Sequence, residues 1–279
     1  MRLMRAALPQ GDRMLGSWDG TTAVATVGGR EFDDLPELLE ACGGDAGAIA
    51  PGPAAEVSDE QLLSVAANPR KIVCIGLNYR LHAEESGAAL PDAPILFPKW
   101  STTLTGPFDE IPLPPESDRV DWESELTFVF GRRCRRVREA DAADVVFGYT
   151  VANDVSMRDY QFKTTQWTAG KCWNRSTPVG PAVVTADELG GMEPDLAITG
   201  TLNGAVVQSS RTNDLIFSIP ALVEYLTTIM TMEPGDLVLT GTPSGVGQSS
   251  KPPRFLENGD LFETEIEGIG RLENRFVTE

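Results

Sequence analysis

The sequence predicts an α+β, β-rich fold, and three observations carry that expectation. From Lys71 onward, short apolar runs bounded by Gly, Pro and Asn recur at 72–75, 126–130, 145–151, 182–184, 237–239 and 261–266. Runs of this length, rich in β-branched and aromatic residues, read as strands. Only one long helical pattern stands among them: Ile219, Leu222, Val223, Leu226, Ile229 and Met230 share one face. Ser218 opens it as N-cap with Pro220 in the first turn, and Glu233-Pro234-Gly235 closes it. Finally, 279 residues with 41% apolar content can bury a sizeable core, and no internal repeat or low-complexity tract competes with this reading.

The elements before Lys71 have a different character. A strand-like piece at 22–27 and a short helix candidate at 35–41 precede a Gly/Ala/Pro-rich stretch at 43–55. Ser58-Asp-Glu-Gln61 has the form of a capping box, which predicts a short helix running through Leu63 and Val65 and closed by Pro69. The chain therefore divides into a small N-terminal α/β domain over 1–68 and a larger domain over 69–279.

Charge and cysteine usage exclude several classes. With 23 Lys+Arg against 41 Asp+Glu, the net charge is −18. Its one basic cluster, Arg132, Arg133, Arg135, Arg136 and Arg138, falls short of what a phosphate backbone demands, so no nucleic-acid partner is expected. Cys42, Cys74, Cys134 and Cys172 form no C-x-x-C pair, and with one histidine in the chain a zinc finger lacks ligands. They read as small core hydrophobes. The start, MRLMRAALPQGD, has no apolar core, and no stretch approaches the roughly 18 apolar residues of a membrane helix. A cytoplasmic protein with reduced thiols and no membrane partner is the expectation.

Four constellations carry possible chemistry. In Asp121-Trp-Glu123-Ser-Glu125, Glu123 and Glu125 lie two residues apart at the start of a strand and so share a face. Like charges there need a cation between them. Asp154 interrupts an apolar run and is expected to be buried, and a buried carboxylate needs a partner. A metal ion held by Glu123, Glu125 and Asp154 answers both demands. Hard oxygen donors favour Mg²⁺ or Mn²⁺, with Ca²⁺ also compatible. A second constellation holds His82, the sole histidine; on a helix it shares a face with Glu85, which can orient the imidazole as a base for a water. Lys171, after Gly170, is a candidate for stabilising an enolate or orienting an acidic substrate, although no Walker A sequence surrounds it. The Thr240-Gly-Thr242-Pro243-Ser-Gly245 turn allows close backbone approach to a ligand but lacks the third glycine of a dinucleotide site and the order of a nucleophile elbow.

Together these residues resemble one family. Asn78-Tyr79-x-x-His82-x-x-Glu85, Phe97-x-Lys99, Asp121-x-Glu123-x-Glu125, Asn153-Asp154-x-x-x-Arg158-Asp159-x-Gln161, Gly170-Lys171 and Thr240-Gly241-Thr242-Pro243 occur in the order of the fumarylacetoacetate hydrolase family, from Lys71 to the C-terminus. The resemblance is to its acylpyruvate hydrolase-like and hydroxy-diene-dioate isomerase-like branch. It implies a rolled mixed β-sheet catalytic domain, a homodimer, and metal ligands at Glu123, Glu125 and Asp154. It implies a His82–Glu85 dyad on a mobile lid and a substrate-contacting Lys171. Arg158, Gln161 and Thr242 then line the pocket together with Lys99, and Tyr79 lies near its mouth. Trp100, Trp167, Trp173 and Arg175 flank the motifs and are candidates for setting substrate size.

The reaction expected on this basis is metal-dependent C–C bond hydrolysis of a small keto acid, an acylpyruvate or other β-diketo acid. Water activated by His82 attacks the distal carbonyl, and Lys171 and Thr242 stabilise the enolate. The alternatives on the same scaffold are decarboxylation of oxaloacetate and isomerisation or dehydration of a hydroxy-diene-dioate. A metal-holding regulatory protein and a Ca²⁺-stabilised binder are the non-enzymatic readings. An anionic substrate in an acidic protein requires Lys99, Arg158 and Lys171 to make the pocket locally positive.

Overall fold

Residues 1–87 and 89–279 are described by a computed structural model. Arg2–Leu8 (β1), Gly11–Trp18 (β2) and Thr21–Val27 (β3) form an antiparallel meander. Asp19 and Gly20 both have positive φ in the β2–β3 turn, the conformation that an Asp-Gly pair supplies to a two-residue hairpin. Leu35–Cys42 (α1) is capped by Asp34, whose Oδ1 accepts from the Leu35 amide, and ends on left-handed Gly43. The capping box at Ser58 is present, but it closes one 3₁₀ turn instead of the expected helix. The chain then goes extended at Leu62–Leu63 and pairs with β1, because the ladder satisfies its backbone and buries Leu62.

Ala50–Ala54 (β4), Ile72–Gly76 (β5), Arg80–Ser86 (α2), Ile95–Lys99 (β6), Ser124–Phe130 (β7), Val146–Asn153 (β8) and Thr177–Thr185 (β9) follow. The last elements are Ala197–Leu202 (β10), Ala205–Arg211 (β11), Ile219–Ile229 (α3), Leu237–Leu239 (β12), Leu261–Ile266 (β13) and Gly270–Thr278 (β14). The expected strands and helices of the larger domain are among them. The long strands of a mixed thirteen-stranded sheet run in the order β3-β2-β1-β9-β8-β7-β12-β5-β6, with β12 parallel to β5. A five-stranded sheet places Ile111–Leu113 beside β14, then β13, β10 and β11.

The two central strands are buried on both faces. Leu126 and Phe128 of β7, with Tyr149 of β8, pack against Ile198, Ile266 and Leu272 of the second sheet and against Leu222 and Leu226 of α3. Val129 faces the other way, with Leu237 and Leu239, onto Leu3, Leu35 and Leu38 from the N-terminal elements. Such strands read as continuous apolar runs, which is why 126–130 and 145–151 stood out in the sequence. Hydrogen bonding crosses residue 68 without a break, since β1 pairs with β9 at Arg2↔Val184 and Leu3↔Val183. The N-terminal strands are thus part of the sheet that carries the site, and α1 packs against it.

This shared core makes a prediction. A fragment spanning 69–279 uncovers Val129, Leu237 and Leu239, and it should aggregate or unfold well below the full chain. Size-exclusion chromatography and thermal denaturation check this; a monodisperse fragment with the midpoint of the full chain would show that the two parts are independent.

Candidate active site

The three carboxylates are assembled by one antiparallel register. β7 and β8 pair Glu125 with Ala152 and Ser124 with Asn153, and the ladder continues as the Asp154 amide donates to the Glu123 carbonyl at 2.9 Å. Residues opposite one another share a face, so Glu123 and Asp154 emerge side by side with Glu125 two residues along. Ser124 points to the other face, where its Oγ meets Thr264 Oγ1 at 3.1 Å. Asn153 Oδ1 accepts from the Glu123 amide at 2.9 Å and stiffens the strand end. Glu123, Glu125 and Asp154 each offer an oxygen within 4.8 Å of the others, all buried.

Three buried cations face these acids. Lys171 Nζ donates to Glu123 Oε2 at 2.7 Å and to Asp154 Oδ2 at 2.8 Å. Lys99 Nζ donates to Asp154 Oδ1 at 2.5 Å. Arg158 Nε donates to Asp121 Oδ2 at 2.8 Å, and its Nη1 meets Glu123 Oε1 at 2.6 Å. Burial acts to raise the Glu123 carboxyl, but Lys171 and Arg158 outweigh it and hold it at about 2. Glu125 has no such partner among the described residues; its Oε2 accepts from the Gly241 amide at 2.8 Å. Burial first, then the charges of Asp154 and Glu123, push its carboxyl well above the usual range. Burial disfavours the Lys171 charge, but Asp154 and Glu123 raise its pKa nonetheless.

With Asp121 included, four carboxylates face three cations, all buried. With every group ionised, one negative charge is in excess, so Lys99, Arg158 and Lys171 do not make the pocket positive without an ion. A divalent ion converts that excess into a net positive charge. The all-oxygen donor set, its burial and the uncompensated Glu125 fit Mg²⁺, Mn²⁺ or Ca²⁺, held by Glu123, Glu125 and Asp154.

A cleft of about 480 Å³ opens over this cluster, lined by Glu123, Glu125, Arg158, Gln161, Lys171 and Thr242 and closed on one side by His82 and Glu85. α2 carries the last two at helical spacing, with His82 Nδ1 at 3.3 Å from Glu85 Oε2. The Gly245 amide donates to both Glu85 oxygens, at 3.1 and 3.2 Å, so the same carboxylate that orients the imidazole ties α2 to the 240–245 turn. Gly245 has φ of 102°, and a Cβ there would lie 1.9 Å from the Val207 carbonyl, so the turn requires glycine. Asn78 secures the root of α2, donating to the Thr240 and Phe217 carbonyls and accepting from the Phe217 amide.

Two residues expected in the pocket do not line it. Lys99 is turned beneath the cluster by the β5–β6 pairing, where it neutralises Asp154. Tyr79, expected at the mouth, is fully buried at the start of α2, its backbone bridged to Leu215; burial raises its phenol pKa. Of the four candidates for setting substrate size, Trp167 lines the cleft, whereas Trp100, Trp173 and Arg175 do not. Two positioning residues carried no role in the sequence reading. Asp121 takes four donors, from Trp122, Gly247, Gln248 and Arg158, and so joins the guanidinium to the 246–248 loop. Gln208 Nε2 donates to Thr242 Oγ1 at 2.8 Å from across the second sheet. Asp121 was visible in its D-x-E-x-E spacing; Gln208 lay in a polar strand with no local signal.

Fold and site thus define an enzyme-like cleft built on a buried carboxylate cluster suited to a divalent ion. Residues 71–277 match the fumarylacetoacetate (FAA) hydrolase C-terminal family, and the chain belongs to it. It is 45% identical over 222 residues to the mitochondrial oxaloacetate tautomerase fahd2 of Xenopus laevis, covering 79% of this chain and 69% of that protein. The mitochondrial oxaloacetate tautomerase FAHD2A of Homo sapiens is 42% identical over 222 residues, with 79% and 70% covered. The fumarylacetoacetate hydrolase of the psychrophile Exiguobacterium antarcticum superposes with a TM-score of 0.86 at 30% identity, covering 100% of both chains. The 2-hydroxyhepta-2,4-diene-1,7-dioate isomerase of Mycobacterium marinum does so with a TM-score of 0.76 at 34% identity, covering 100% of this chain and 99% of the other. Tautomerases and isomerases among these relatives favour the alternative expectation over C–C hydrolysis. Among the described residues no helix is long and apolar enough to cross a membrane.

The uncompensated Glu125 yields a prediction. A carboxyl whose pKa is raised by folding holds its proton more tightly in the native state. It therefore favours the fold at low pH and opposes it as pH rises from the ordinary carboxylate value through the raised one. E125Q should raise the thermal midpoint of metal-stripped protein at pH 7 and abolish the stabilisation that Mn²⁺ confers on the parent chain. Differential scanning fluorimetry with and without Mn²⁺ decides; equal stabilisation of both proteins would remove Glu125 from the ligand set.

Proposed function

We propose that this protein catalyses enol–keto tautomerisation of a short 2-oxo dicarboxylic acid of the oxaloacetate type, with a divalent ion held by Glu123, Glu125 and Asp154. The observation that carries this reading is the Arg158 guanidinium. Asp121 and Glu123 occupy its Nε and Nη1, while Nη2 is buried without a partner among the described residues, in a side chain that lines the cleft. A buried donor left unmade is costly, and a substrate carboxylate is the group that satisfies it. The names of the curated relatives supply oxaloacetate and turn the choice toward tautomerisation.

A divalent ion, when bound, supplies Lewis-acid stabilisation of negative charge on the substrate's oxygens. The proton work falls to His82. With Nδ1–H donating to Glu85, the lone pair is on Nε2, which takes up and returns the proton exchanged between the enol oxygen and C3. The O–H bond breaks, a C3–H bond forms, and the double bond moves from C2=C3 to C2=O; no water is consumed. Lys171 presents its ammonium to the charge that develops on the enolate oxygen. Thr242, accepting from Gln208, keeps its own hydroxyl hydrogen to donate to the substrate.

Ketonisation of enol-oxaloacetate, followed by the loss of enol absorbance, is the test, run beside acetylpyruvate and fumarylpyruvate with Mg²⁺ or Mn²⁺. H82A should lower kcat by about 10²–10⁴. Metal-dependent cleavage of an acylpyruvate without acceleration of ketonisation would replace this reading with the hydrolytic one.

A further inference from the structure

A four-carbon acid leaves much of the cleft unused. Its volume of about 480 Å³ lies in the range of about 300–1,000 Å³ that holds considerably larger ligands. Beside the charged groups, the lining carries an apolar set: Phe97, Trp167, Phe162, Ile75 and Leu77. Phe97 joins the two regions. Its ring centroid lies 5.1 Å from Lys171 Nζ on one side and 5.5 Å from the Trp167 ring on the other, the aromatic pair meeting edge to face. The seat of Trp167 is built into the backbone, since a Cβ at Gly76 would come within 2.2 Å of the indole. Phe162 stands 62% exposed at the edge of the cleft, an aromatic surface with no protein cover. Among the described residues, the Lys and Arg side chains that line the cleft are Arg158 and Lys171, both engaged by the carboxylate cluster, so this wall has no cation for a second acid group.

We propose that the same site tautomerises 2-oxo acids whose C3 bears an aromatic ring, arylpyruvate enols, with Trp167 and Phe162 as the specificity-determining residues. This rests on the tautomerase reading above and extends its substrate class. The 2-oxo acid end takes the position of the smaller substrate, and the aryl group lies along Phe97 and Trp167 beneath Phe162. The chemistry balances as before: the enol O–H proton is given up, a proton is added at C3, the C2=C3 double bond becomes C2=O, and substrate and product are isomers. Burying the ring against the wall removes apolar surface from water on both partners.

The experiment compares kcat/KM for ketonisation of enol-phenylpyruvate and enol-oxaloacetate by the full-length Mn²⁺-loaded protein, W167A and F162A. The parent protein is expected to accelerate both. W167A should lower the phenylpyruvate-to-oxaloacetate ratio about tenfold or more, within the range by which an apolar pocket discriminates, and F162A should move it in the same direction. Because Phe162 is largely exposed, its truncation reports on the cleft without threatening the fold. Acceleration of oxaloacetate alone, or an unchanged ratio in both variants, overturns the proposal and leaves the tautomerase reading standing. Acceleration of neither substrate overturns both.

Discussion

Seven ionisable side chains, Lys99, Asp121, Glu123, Glu125, Asp154, Arg158 and Lys171, are buried together, and the local structure is arranged around the pairing of their charges. Removing a charge from water costs several kcal/mol unless it is paired and hydrogen-bonded. Here Asp154 is shared between two ammonium groups, Glu123 between an ammonium and a guanidinium, and Asp121 combines one guanidinium contact with three backbone amides. Glu125 alone depends on a single backbone amide. The residual negative charge is local to the position where a hard cation would be held. With a divalent ion, the site changes sign and becomes attractive to an organic anion, although the whole chain carries −18.

The framework supplies precision at this point. β7 and β8 are covered on one face by the second sheet and α3 and on the other by the N-terminal layer, so neither strand can shift register without exposing core. Register then sets the triad. The side chains of Asn153, Asn78 and Gln208 each bind backbone groups of other segments, Gln208 also the Thr242 hydroxyl, and they convert loop segments into fixed walls. The histidine arrives differently, on the short helix α2, whose hold on the rest of the site runs through Glu85 and the Gly245 amide. Losing that contact would free the helix and disorient the imidazole in one event.

Solved structures with hydrolase and isomerase names share this architecture, and a relative with a tautomerase name shares much of the sequence, so the scaffold alone does not fix the reaction. In this chain the cleft lining includes Phe97, Phe162 and Trp167.

The sequence by itself determined the strand-rich class, the helix at Ser218, the i,i+2 acids of β7 and the i,i+3 dyad of α2. Each is encoded in a local period: two residues for a strand, three to four for a helix, reinforced by caps and Gly/Pro punctuation. Strands β1 and β2, which carry no strong apolar run, were not read from the sequence and appear only through their pairing. Only the tertiary structure decided that Leu62–Leu63 extends instead of continuing a helix, that Lys99 turns under Asp154, that Tyr79 is buried, and that Gln208 reaches Thr242. Each of those outcomes depends on a partner distant in the chain, and a contact made across the fold leaves no periodic trace in either segment. The sign of the pocket belongs to the same class, because it is a sum over seven residues drawn from four separate segments.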